Sequence, residues 1–328
     1  MEPRYLFIVC QRGAEHALKQ EVAREHPGLR FAYSRPGFVT FKLPDDEPPA
    51  EDAELRCVFA RTHGLSLGKV QGDTAQNMAA SLWQLASDLR LDHLHVWQRD
   101  AALPGEGGFE PGLTPLAEEV GQIIAAQMPA EPARRVLPVN RVARSGQRVL
   151  DCVLVEPDQW WIGYHRAAAM PSRWPGGVPK IQCPDEAVSR GYQKMAEALL
   201  WSRLPVEPGD RCVEIGSAPG GSCQALLDRG LRVTGIDPAE MDPAVLEHPN
   251  FTHVRARPAS LKRREFRSFR WLTVDSNVAP QHTLDTVETI VTNRQVRIRG
   301  LLLTLKMPDW ELAGAIPEYL QRIRDWGY

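Results

Sequence analysis

The first 60 residues combine short apolar runs with one amphipathic stretch. An apolar run from Tyr5 to Cys10 has the length of a strand, and after a turn at Gly13 the apolar positions 14, 18 and 22 follow the spacing of one helix face. Two further β runs, 29–34 and 38–43, are separated by Pro36-Gly37. This order predicts a ferredoxin-like α+β unit over residues 1–60.

Residues 61–168 again mix helix and strand signals. The pattern predicts strands at 65–70 and 93–97, a helix with the stripe Met78, Leu82, Leu85 and Leu89, a helix over 116–128, and a hairpin of 148–155 with 160–165. We therefore expect a second small α+β domain here. Four prolines and little periodicity indicate a linker over residues 169–185.

The remaining residues, 186–328, alternate between helical and β patterns. The pattern predicts helices at 186–201, 223–228 and 283–291, and strands at 211–215, 231–236, 271–274 and 301–305. Alternation of this kind is typical of a parallel sheet with helices on both faces. The fold class is therefore α/β, with a C-terminal Rossmann-like domain preceded by the two small α+β units.

Composition narrows the class of protein. The chain has 328 residues, of which 43% are hydrophobic and 24% charged, so it can bury a core and is not disordered throughout. No run of about 18 apolar residues occurs, and the apolar run near the N-terminus is too short and too early for a signal peptide. The six cysteines form no Cys-x-x-Cys pair, so we expect reduced thiols, no metal site and a cytoplasmic protein.

Charge is balanced overall but locally uneven. The formal net charge is −2, yet Arg134, Arg135, Arg141, Arg144 and Arg148 lie in a segment without an acid. A second run, 255–270, holds seven basic residues and one glutamate. Each run is either a solvated face paired with distant acids or a surface that neutralises phosphates. We predict that the first run contacts RNA, with Arg134, Arg135 and Arg144 as the contact residues.

A glycine-rich turn suggests a nucleoside site. The β run 212–215 is followed by Gly216-Ser-Ala-Pro-Gly-Gly and a helix, and Asp237 ends the next strand 21 residues after Gly216. Glycines let a backbone approach a ligand, and a carboxylate at that strand end can accept hydrogen bonds from ribose hydroxyls. Ala218 and Pro219 replace the Gly-x-Gly-x-x-Gly spacing that binds pyrophosphate, which favours S-adenosylmethionine over a dinucleotide. The alternative is a tight structural turn.

Three charged residues form a candidate catalytic set. Asp275 ends the run 272–274, Lys306 follows the run 301–305, and Lys194 lies in the helix before the first strand of this domain. Removing the proton of a weakly acidic hydroxyl requires a neutral amine, and a second ammonium nearby lowers the pKa of a lysine. A carboxylate between the lysines can orient one and keep the other charged. Taken singly, each lysine has the alternative of an ordinary solvated surface residue.

In this order the motifs resemble the FtsJ-type Rossmann 2′-O-ribose methyltransferases, whose catalytic tetrad is Lys-Asp-Lys-Glu. Within that family the layout is most similar to the bacterial enzymes that methylate a cytidine of large-subunit ribosomal RNA and carry an N-terminal THUMP region. The resemblance covers nearly the whole chain and implies a THUMP-like RNA-binding domain over residues 61–168. It implies that Lys194, Asp275 and Lys306 are catalytic, with Lys306 as the base. The expected cofactor-binding residues are Ser189, Gly216, Ser217, Ala218, Pro219, Gly220, Gly221, Asp237 and Asp275.

The sequence departs from this family at two places. The family has an acid near the adenine after the third strand, where this chain aligns Arg257. The final Glu of the tetrad belongs to a C-terminal strand, and the sequence ends at Tyr328 before such a strand is expected. Glu311 and Glu318 follow Lys306 too closely to replace it.

Other functions fit the sequence less well. A methyltransferase acting on exocyclic amines would carry Asn/Asp-Pro-Pro-aromatic where this chain has Asp275-Ser-Asn-Val. A base C5-methyltransferase would need a nucleophilic cysteine, for which only Cys183 in the linker is a candidate, and an NAD oxidoreductase would have no use for the two lysines. The departures above leave one alternative open, a non-catalytic RNA-binding or cofactor-sensing paralogue.

Overall fold

Two units, each with its own sheet, make up the chain. The computed structural model describes residues 3–44, 55–129, 136–168 and 170–328. The units are Met1–Lys180 and Ile181–Tyr328, and the division between them falls inside the predicted linker 169–185.

The N-terminal unit has one seven-stranded sheet in its described residues. Its strands are β1 (Tyr5–Val9), β2 (Arg30–Arg35), β3 (Phe38–Lys42), β4 (Thr62–Gln71), β5 (His93–Gln98), β6 (Arg148–Glu156) and β7 (Gln159–Arg166). Their order is β2-β3-β1-β4-β7-β6-β5, and all neighbours are antiparallel except β5 and β6. Strands of both predicted N-terminal units therefore lie in one sheet, because β1 pairs with β4. The boundary at residue 60 and the ferredoxin-like and THUMP-like assignments stay predictions.

Three helices pack on this sheet, namely α1 (Glu15–Glu25), α2 (Ala75–Leu85) and α3 (Pro115–Ala126). Threonines begin two of them, since Thr74 and Thr114 each accept a backbone N–H of the first turn at 3.2 Å. The predicted stripe of α2 is wrong at two positions. Leu85 is exposed and Leu89 lies beyond the end of the helix, because the chain turns at Ala86 after Leu82 and Trp83 have entered the core.

The C-terminal unit has a parallel sheet of five strands in the described chain. They are β8 (Arg211–Ile215), β9 (Arg232–Ile236), β10 (Phe251–Val254), β11 (Trp271–Val274) and β12 (Gly300–Leu303), in the order β10-β9-β8-β11-β12. Every neighbouring pair is parallel, which confirms the prediction. All carboxyl ends therefore meet at one edge, where open α/β sheets bind their ligands.

Helices cover both faces of this second sheet. They are α4 (Gly191–Ser202), α5 (Gly221–Leu227), α6 (Pro243–Leu246), α7 (Pro280–Val291) and α8 (Ile316–Asp325). Apolar residues of α4 and α5 pack on one face and those of α7 on the other. Helix α4 begins five residues later than predicted, and α8 was not predicted because Ile316 is its only buried residue. Among the described residues of the whole chain, no helix is both long and apolar enough to cross a bilayer.

Candidate active site

A glycine turn joins β8 to α5 at the carboxyl edge of the second sheet. Gly216 and Gly220 have φ angles of 79° and 128°, which side chains rarely tolerate. A Cβ on Gly216 would lie 2.8 Å from Ser276 Cβ and 3.0 Å from the Asp275 carbonyl oxygen. Glycine is therefore required here so that the turn can lie against the end of β11.

Asp237 holds this turn from the neighbouring strand. It directly follows β9 and is half-buried, and its Oδ2 accepts the Ala218 N–H at 3.2 Å. Its Oδ1 accepts the Ala239 N–H at 2.8 Å. The carboxylate is thus fixed beside the glycine turn, and its contact with a ribose stays a prediction.

The remaining predicted cofactor residues lie on the same turn or directly against it. A Cβ on Gly221 would lie 2.3 Å from Ser189 Oγ, so Ser189 packs on the first residue of α5. The Ser217 hydroxyl is buried and donates to Met241 Sδ at 3.4 Å, which leaves its backbone as the part that can face a ligand. The Ala218-Pro219 peptide bond is cis. Their roles in cofactor binding stay predictions.

The three predicted catalytic side chains lie together at this edge. Lys306 Nζ is 2.7 Å from Asp275 Oδ1, because β11 and β12 are neighbours and both residues lie just past the ends of these strands. Lys194 lies in the first turn of α4, where the charges of Asp275 and Lys306 act on it. Partial loss of solvent lowers the pKa of Lys194, and the charges of Lys306 and Arg190 lower it further against the opposing effect of Asp275.

A cavity of about 750 Å³ opens beside these residues. Lys194, Asp275 and Ser222 are among its polar lining residues, and Trp201, Leu303 and Trp326 are among its apolar ones. The cavity runs along β12, an edge strand of the described sheet. Lys194 and Asp275 can therefore meet a ligand that enters from this side.

Glu214 is a buried acid for which the sequence analysis gave no role. It is fully buried in β8, it accepts a hydrogen bond from the Thr273 hydroxyl, and its Oε1 has no partner among the described residues. Burial raises its pKa to about 8, and the nearby Asp275 charge adds to the shift while the Thr273 hydroxyl opposes it. The sequence signal for Glu214 is that it is the single acid inside the otherwise apolar run 212–215.

The structure shows where the residues at the two departures from the family pattern lie. Arg257 is exposed, whereas Arg255 Nε donates to the Pro238 carbonyl oxygen at 3.2 Å, directly beside Asp237. Glu311 and Glu318 are both exposed. Within the described part of the chain, Asp275 is the one carboxylate whose charge acts on Lys194.

Of the three arginines predicted to contact RNA, only Arg144 lies within the described residues. Arg134 and Arg135 lie outside the described residues. Arg144 is exposed in the N-terminal unit, and its backbone N–H donates to Gln147 Oε1 at 2.7 Å. The described residues contain no group of three or more His, Cys, Asp or Glu that could hold a metal ion.

The residues at the glycine turn fit a nucleoside cofactor that lacks phosphates. The turn has no space for a Cβ at Gly216 or Gly220, so its backbone packs closely on the carboxyl edge of the sheet. Asp237 offers a half-buried carboxylate beside it, suited to ribose hydroxyls. Arg255 and Arg257 lie beyond β10 and not on the turn itself.

Residues 187–310 match the sequence profile of the FtsJ-like methyltransferases. The C-terminal unit therefore contains an FtsJ-like methyltransferase domain, and the chain is a methyltransferase whose cofactor is S-adenosylmethionine.

Full-length relatives carry a more particular name. The chain is 27% identical to the ribosomal RNA large subunit methyltransferase M of Halorhodospira halophila, a match that covers 100% of this chain and 92% of the relative. It is 28% identical to the protein of the same name from Aromatoleum aromaticum, over 92% of this chain and 82% of the relative. The crystal structure of TrmN from Thermus thermophilus matches with 16% identity and a TM-score of 0.33, over 93% of this chain and 90% of that one.

Proposed function

We propose that this protein transfers a methyl group from S-adenosylmethionine to the 2′-hydroxyl of a ribose in RNA, most specifically a cytidine of large-subunit ribosomal RNA. The observation that carries the proposal is the ion pair of Lys306 with Asp275 beside the glycine turn, with Lys194 close enough for both of their charges to act on it. A ribose hydroxyl is a weak acid, so its methylation needs a nearby amine that can take its proton. Methylation of a base would have no use for a paired lysine and aspartate of this kind.

The residues of the chain divide the work between binding and chemistry. Asp237 and the turn from Gly216 to Gly221 would hold the nucleoside, with Ser189 against Gly221. When bound, the cofactor supplies an electrophilic methyl group. Asp275 orients the amino groups, and one lysine of the set accepts the hydroxyl proton. The family resemblance assigns that last role to Lys306.

RNA binding is assigned to the N-terminal unit. Arg141 and Arg144 are exposed on the segment 140–148, whose backbone is held at three carbonyls. The three contacts are His95 Nε2 with Arg141 O at 2.8 Å, Arg173 Nε with Ala143 O at 2.8 Å, and Arg166 Nη1 with Gly146 O at 2.7 Å. A rigid segment of this kind can contact phosphates with little loss of conformational entropy.

The names of the relatives support the choice of substrate. Both are called ribosomal RNA large subunit methyltransferases, and a cytoplasmic location follows for a protein that modifies ribosomes. The THUMP-like domain over residues 61–168 is part of this proposal. So is the domain division at residues 60, 168 and 185.

Transfer of a tritiated methyl group tests the function. Wild-type protein is incubated with labelled cofactor and unmodified large-subunit ribosomal RNA, and the product is digested with nucleases and mapped. We expect one labelled position that resists alkaline hydrolysis, because a 2′-O-methyl group blocks attack on the neighbouring phosphate. Label on a base would contradict the proposal, and so would the absence of transfer by protein that binds the cofactor.

A further inference from the structure

We propose that the amino edge of the C-terminal sheet is a second RNA-binding surface, which holds phosphates of the substrate RNA at the edge opposite the catalytic residues. Four arginines form this surface, which we call the arginine row: Arg232, Arg211, Arg270 and Arg299. The proposal rests on the proposed function for its choice of RNA as the ligand. It adds an RNA contact to the unit that holds the catalytic residues.

The strands of the sheet bring the four arginines into one line. Arg211 and Arg232 are the first residues of β8 and β9, and Arg270 and Arg299 directly precede β11 and β12. Arg211 and Arg232 are partners in the parallel register. The backbone N–H of Arg270 donates to the Arg211 carbonyl oxygen, and that of Arg299 to the Arg270 carbonyl oxygen, both at 2.8 Å. Adjacent members therefore follow one another at about 4.8 Å, the spacing of neighbouring strands.

The four side chains also lie on the same face of the sheet. Trp271 pairs in register with both Cys212 and Gly300, so the arginines that precede these three residues are in register too. Residues in register on parallel strands point to the same face. In β8 and β11 the residues two positions further along, Val213 and Leu272, are buried in the core that includes α7. The arginine row therefore continues this face beyond the end of its apolar core.

The row carries more positive charge than the neighbouring acids neutralise. Asp210 Oδ1 accepts from Arg270 Nη1 at 3.0 Å, and Asp210 Oδ2 accepts the indole N–H of the first residue of β11 at 2.8 Å, so both oxygens are used. Within the described chain, Arg211, Arg232 and Arg299 form no ion pair, and all three are exposed. Like charges on neighbouring strands repel one another. A ligand with several negative charges in a line relieves this repulsion.

The adjoining segments add positive charge and no exposed apolar surface. Arg267, before β11, and Arg297, before β12, are both exposed. The large apolar residues of segments 263–270 and 294–299 are all buried, namely Phe266, Phe269, Val296 and Ile298.

This composition identifies the kind of partner. A surface that inserts into a membrane presents exposed apolar residues, and the core of a protein–protein interface is apolar. A surface of exposed arginines without apolar residues suits a hydrophilic polyanion. Guanidinium groups match the geometry of phosphates, and RNA is the polyanion that the proposed function supplies.

The row and the catalytic residues lie at opposite edges of one sheet. Strand β8 begins with Arg211 and has five residues, so at about 3.3 Å per residue the two edges are about 15 Å apart. Large-subunit ribosomal RNA is a folded molecule far larger than this unit. One of its segments can therefore contact the row while the target nucleotide lies at the carboxyl edge.

Salt-dependent RNA binding by the full-length protein tests the row. The variant combines Arg211→Gln, Arg232→Gln and Arg299→Gln, and it keeps Arg270 because the ion pair with Asp210 supports the fold. We expect its affinity for unmodified large-subunit ribosomal RNA at low salt to fall by at least about tenfold. The slope of log affinity against log salt should decrease by about 2–3, because three phosphate contacts are lost. Filter binding at several salt concentrations measures both values, and a wild-type slope in this variant would overturn the proposal.

Two matched comparisons separate charge from structure. Lysine at the same three positions keeps the positive charges, so this variant should keep the slope of the wild type. Arg232→Gln alone should decrease the slope by about 1. Lys69→Gln, which removes one exposed cation from β4 of the other unit, should leave the slope unchanged. Equal slopes for Arg232→Gln and Lys69→Gln would show that the row has no special contact with phosphates.

Methyl transfer gives a readout that distinguishes the row from the catalytic site. In the triple glutamine variant, KM for RNA should rise in parallel with the loss of affinity, while kcat at saturating RNA should stay within about twofold of the wild type. A fall in kcat with unchanged KM would mean that the substitutions disturb the catalytic edge, and it would overturn the proposal. Binding of S-adenosylmethionine, measured by calorimetry, shows that each variant has folded.

The proposed function and the row fail in different ways. If the wild type methylates no ribose but the triple glutamine variant still binds RNA with a smaller slope, the proposed function fails and the row stands as an RNA-binding surface. If methyl transfer occurs and the variant binds RNA like the wild type, the function stands and the row is wrong. Loss of binding to vesicles that contain phosphatidylserine, with unchanged RNA binding, would overturn the proposal in favour of a lipid surface.

Discussion

The pairs Asp151–His165 in the N-terminal unit and Asp275–Lys306 in the C-terminal unit each join an acid to a base, and they differ in their access to solvent. In the N-terminal sheet, Asp151 Oδ2 lies 2.6 Å from His165 Nδ1, and the side chains are 1% and 5% exposed. In the C-terminal sheet, Asp275 and Lys306 are 2.7 Å apart, and their side chains are 13% and 25% exposed. The two distances are nearly equal, so any difference in role must come from the burial of each pair and from the residues around it.

The N-terminal pair is closed on all sides by protein. His165 Nε2 contacts the Ser172 carbonyl oxygen at 2.7 Å, so both ring nitrogens are used. Burial alone would lower the pKa of His165, but the Asp151 carboxylate and the Ser172 carbonyl outweigh it and raise the pKa. The nearby His95 is neutral, because burial lowers its pKa to about 3. This pair connects chain segments and has no route to a substrate.

The C-terminal pair borders a cavity. Two amino groups, those of Lys194 and Lys306, lie near its one carboxylate. Lys194 adds a second amine to one carboxylate, and Asp275 faces open space. The comparison teaches that an acid and a base at hydrogen-bond distance form a structural contact when sealed. They become candidates for chemistry when a third titratable group and a cavity adjoin them.

The largest expected effect comes from breaking the sealed pair. Asp151→Ala leaves His165 without its buried partner and should lower the free energy of unfolding of the N-terminal unit by about 3–5 kcal/mol. Chemical denaturation followed by tryptophan fluorescence measures this loss. Asp158→Ala, an exposed aspartate in the adjoining turn, is the matched control. Similar stability of the two variants would mean that Asp151 and His165 contribute no more than a surface pair.

The open pair should respond in activity and not in stability. Asp275→Asn removes the charge that orients the amines, and we expect methyl transfer to fall about 100- to 1000-fold, equal to about 3–4 kcal/mol of barrier. The unfolding free energy should fall by less than it does in Asp151→Ala, because this pair is more exposed than the pair of Asp151 and His165. Kinetics and denaturation on the same preparation check both values. A loss of stability as large as that of Asp151→Ala would remove the distinction between the pairs.

Glu214 extends the comparison, because it is a fully buried acid that forms no ion pair among the described residues. Its pKa is about 8 in the folded unit and about 4.5 in its ordinary state. The folded state therefore binds more protons between these values, and stability should fall as pH rises, by up to about 2.7 kcal/mol between pH 5 and pH 7. Glu214→Gln should remove this slope. Denaturation curves over that pH range test the sign, and rising stability would contradict it.

Asp237 is a half-buried acid that already has two backbone donors. Asp237→Ala removes a carboxylate from the cofactor turn and should weaken binding of S-adenosylmethionine by about 2 kcal/mol. Calorimetry measures the affinity. The control is Asp242→Ala, which changes another aspartate five residues after Asp237. Unchanged affinity, or tighter binding of NAD, would show that Asp237 does not contact the ribose.

Substitution of Arg144 should have the smallest effect. Its side chain is exposed, and the buried His95 holds the backbone of its segment at Arg141. Arg144→Gln should weaken RNA binding and reduce the slope of log affinity against log salt by about 1. Filter binding at several salt concentrations measures the slope. Asp151→Ala should loosen the same segment, so it should weaken RNA binding without changing the number of charges. Equal binding by Arg144→Gln and wild type at all salt concentrations would move the RNA surface elsewhere.

Local patterns predicted the strands of the catalytic unit closely. The runs 211–215 and 271–274 match β8 and β11 at both ends, because a buried parallel strand is a continuous apolar run bounded by polar residues. The same reasoning placed Asp275 and Lys306 at one edge. It missed α8, whose outward face is largely polar, and began α4 too early because residues 186–190 contain no helix-breaking signal strong enough to exclude them.

The polar residues inside apolar strands were the main omission. His93, His95 and His165 interrupt apolar runs, as does Glu214, and none was identified as a member of a cluster. The pattern predicted the hairpin of β6 with β7, but the significance of these residues also depends on the parallel pairing of β5 with β6, which no local pattern encodes.

The sequence by itself determined the fold class, the glycine turn, the order of lysine, aspartate and lysine along the chain, and thus the family. These features follow from backbone geometry and side-chain chemistry over a few residues. Only the tertiary structure decided that one sheet joins the predicted N-terminal units, that Asp275 pairs with Lys306 and not with Lys194, and that Asp151 is sealed while Asp275 adjoins a cavity. Contacts between residues distant in sequence, and the solvent that burial removes, exist only once the chain has folded.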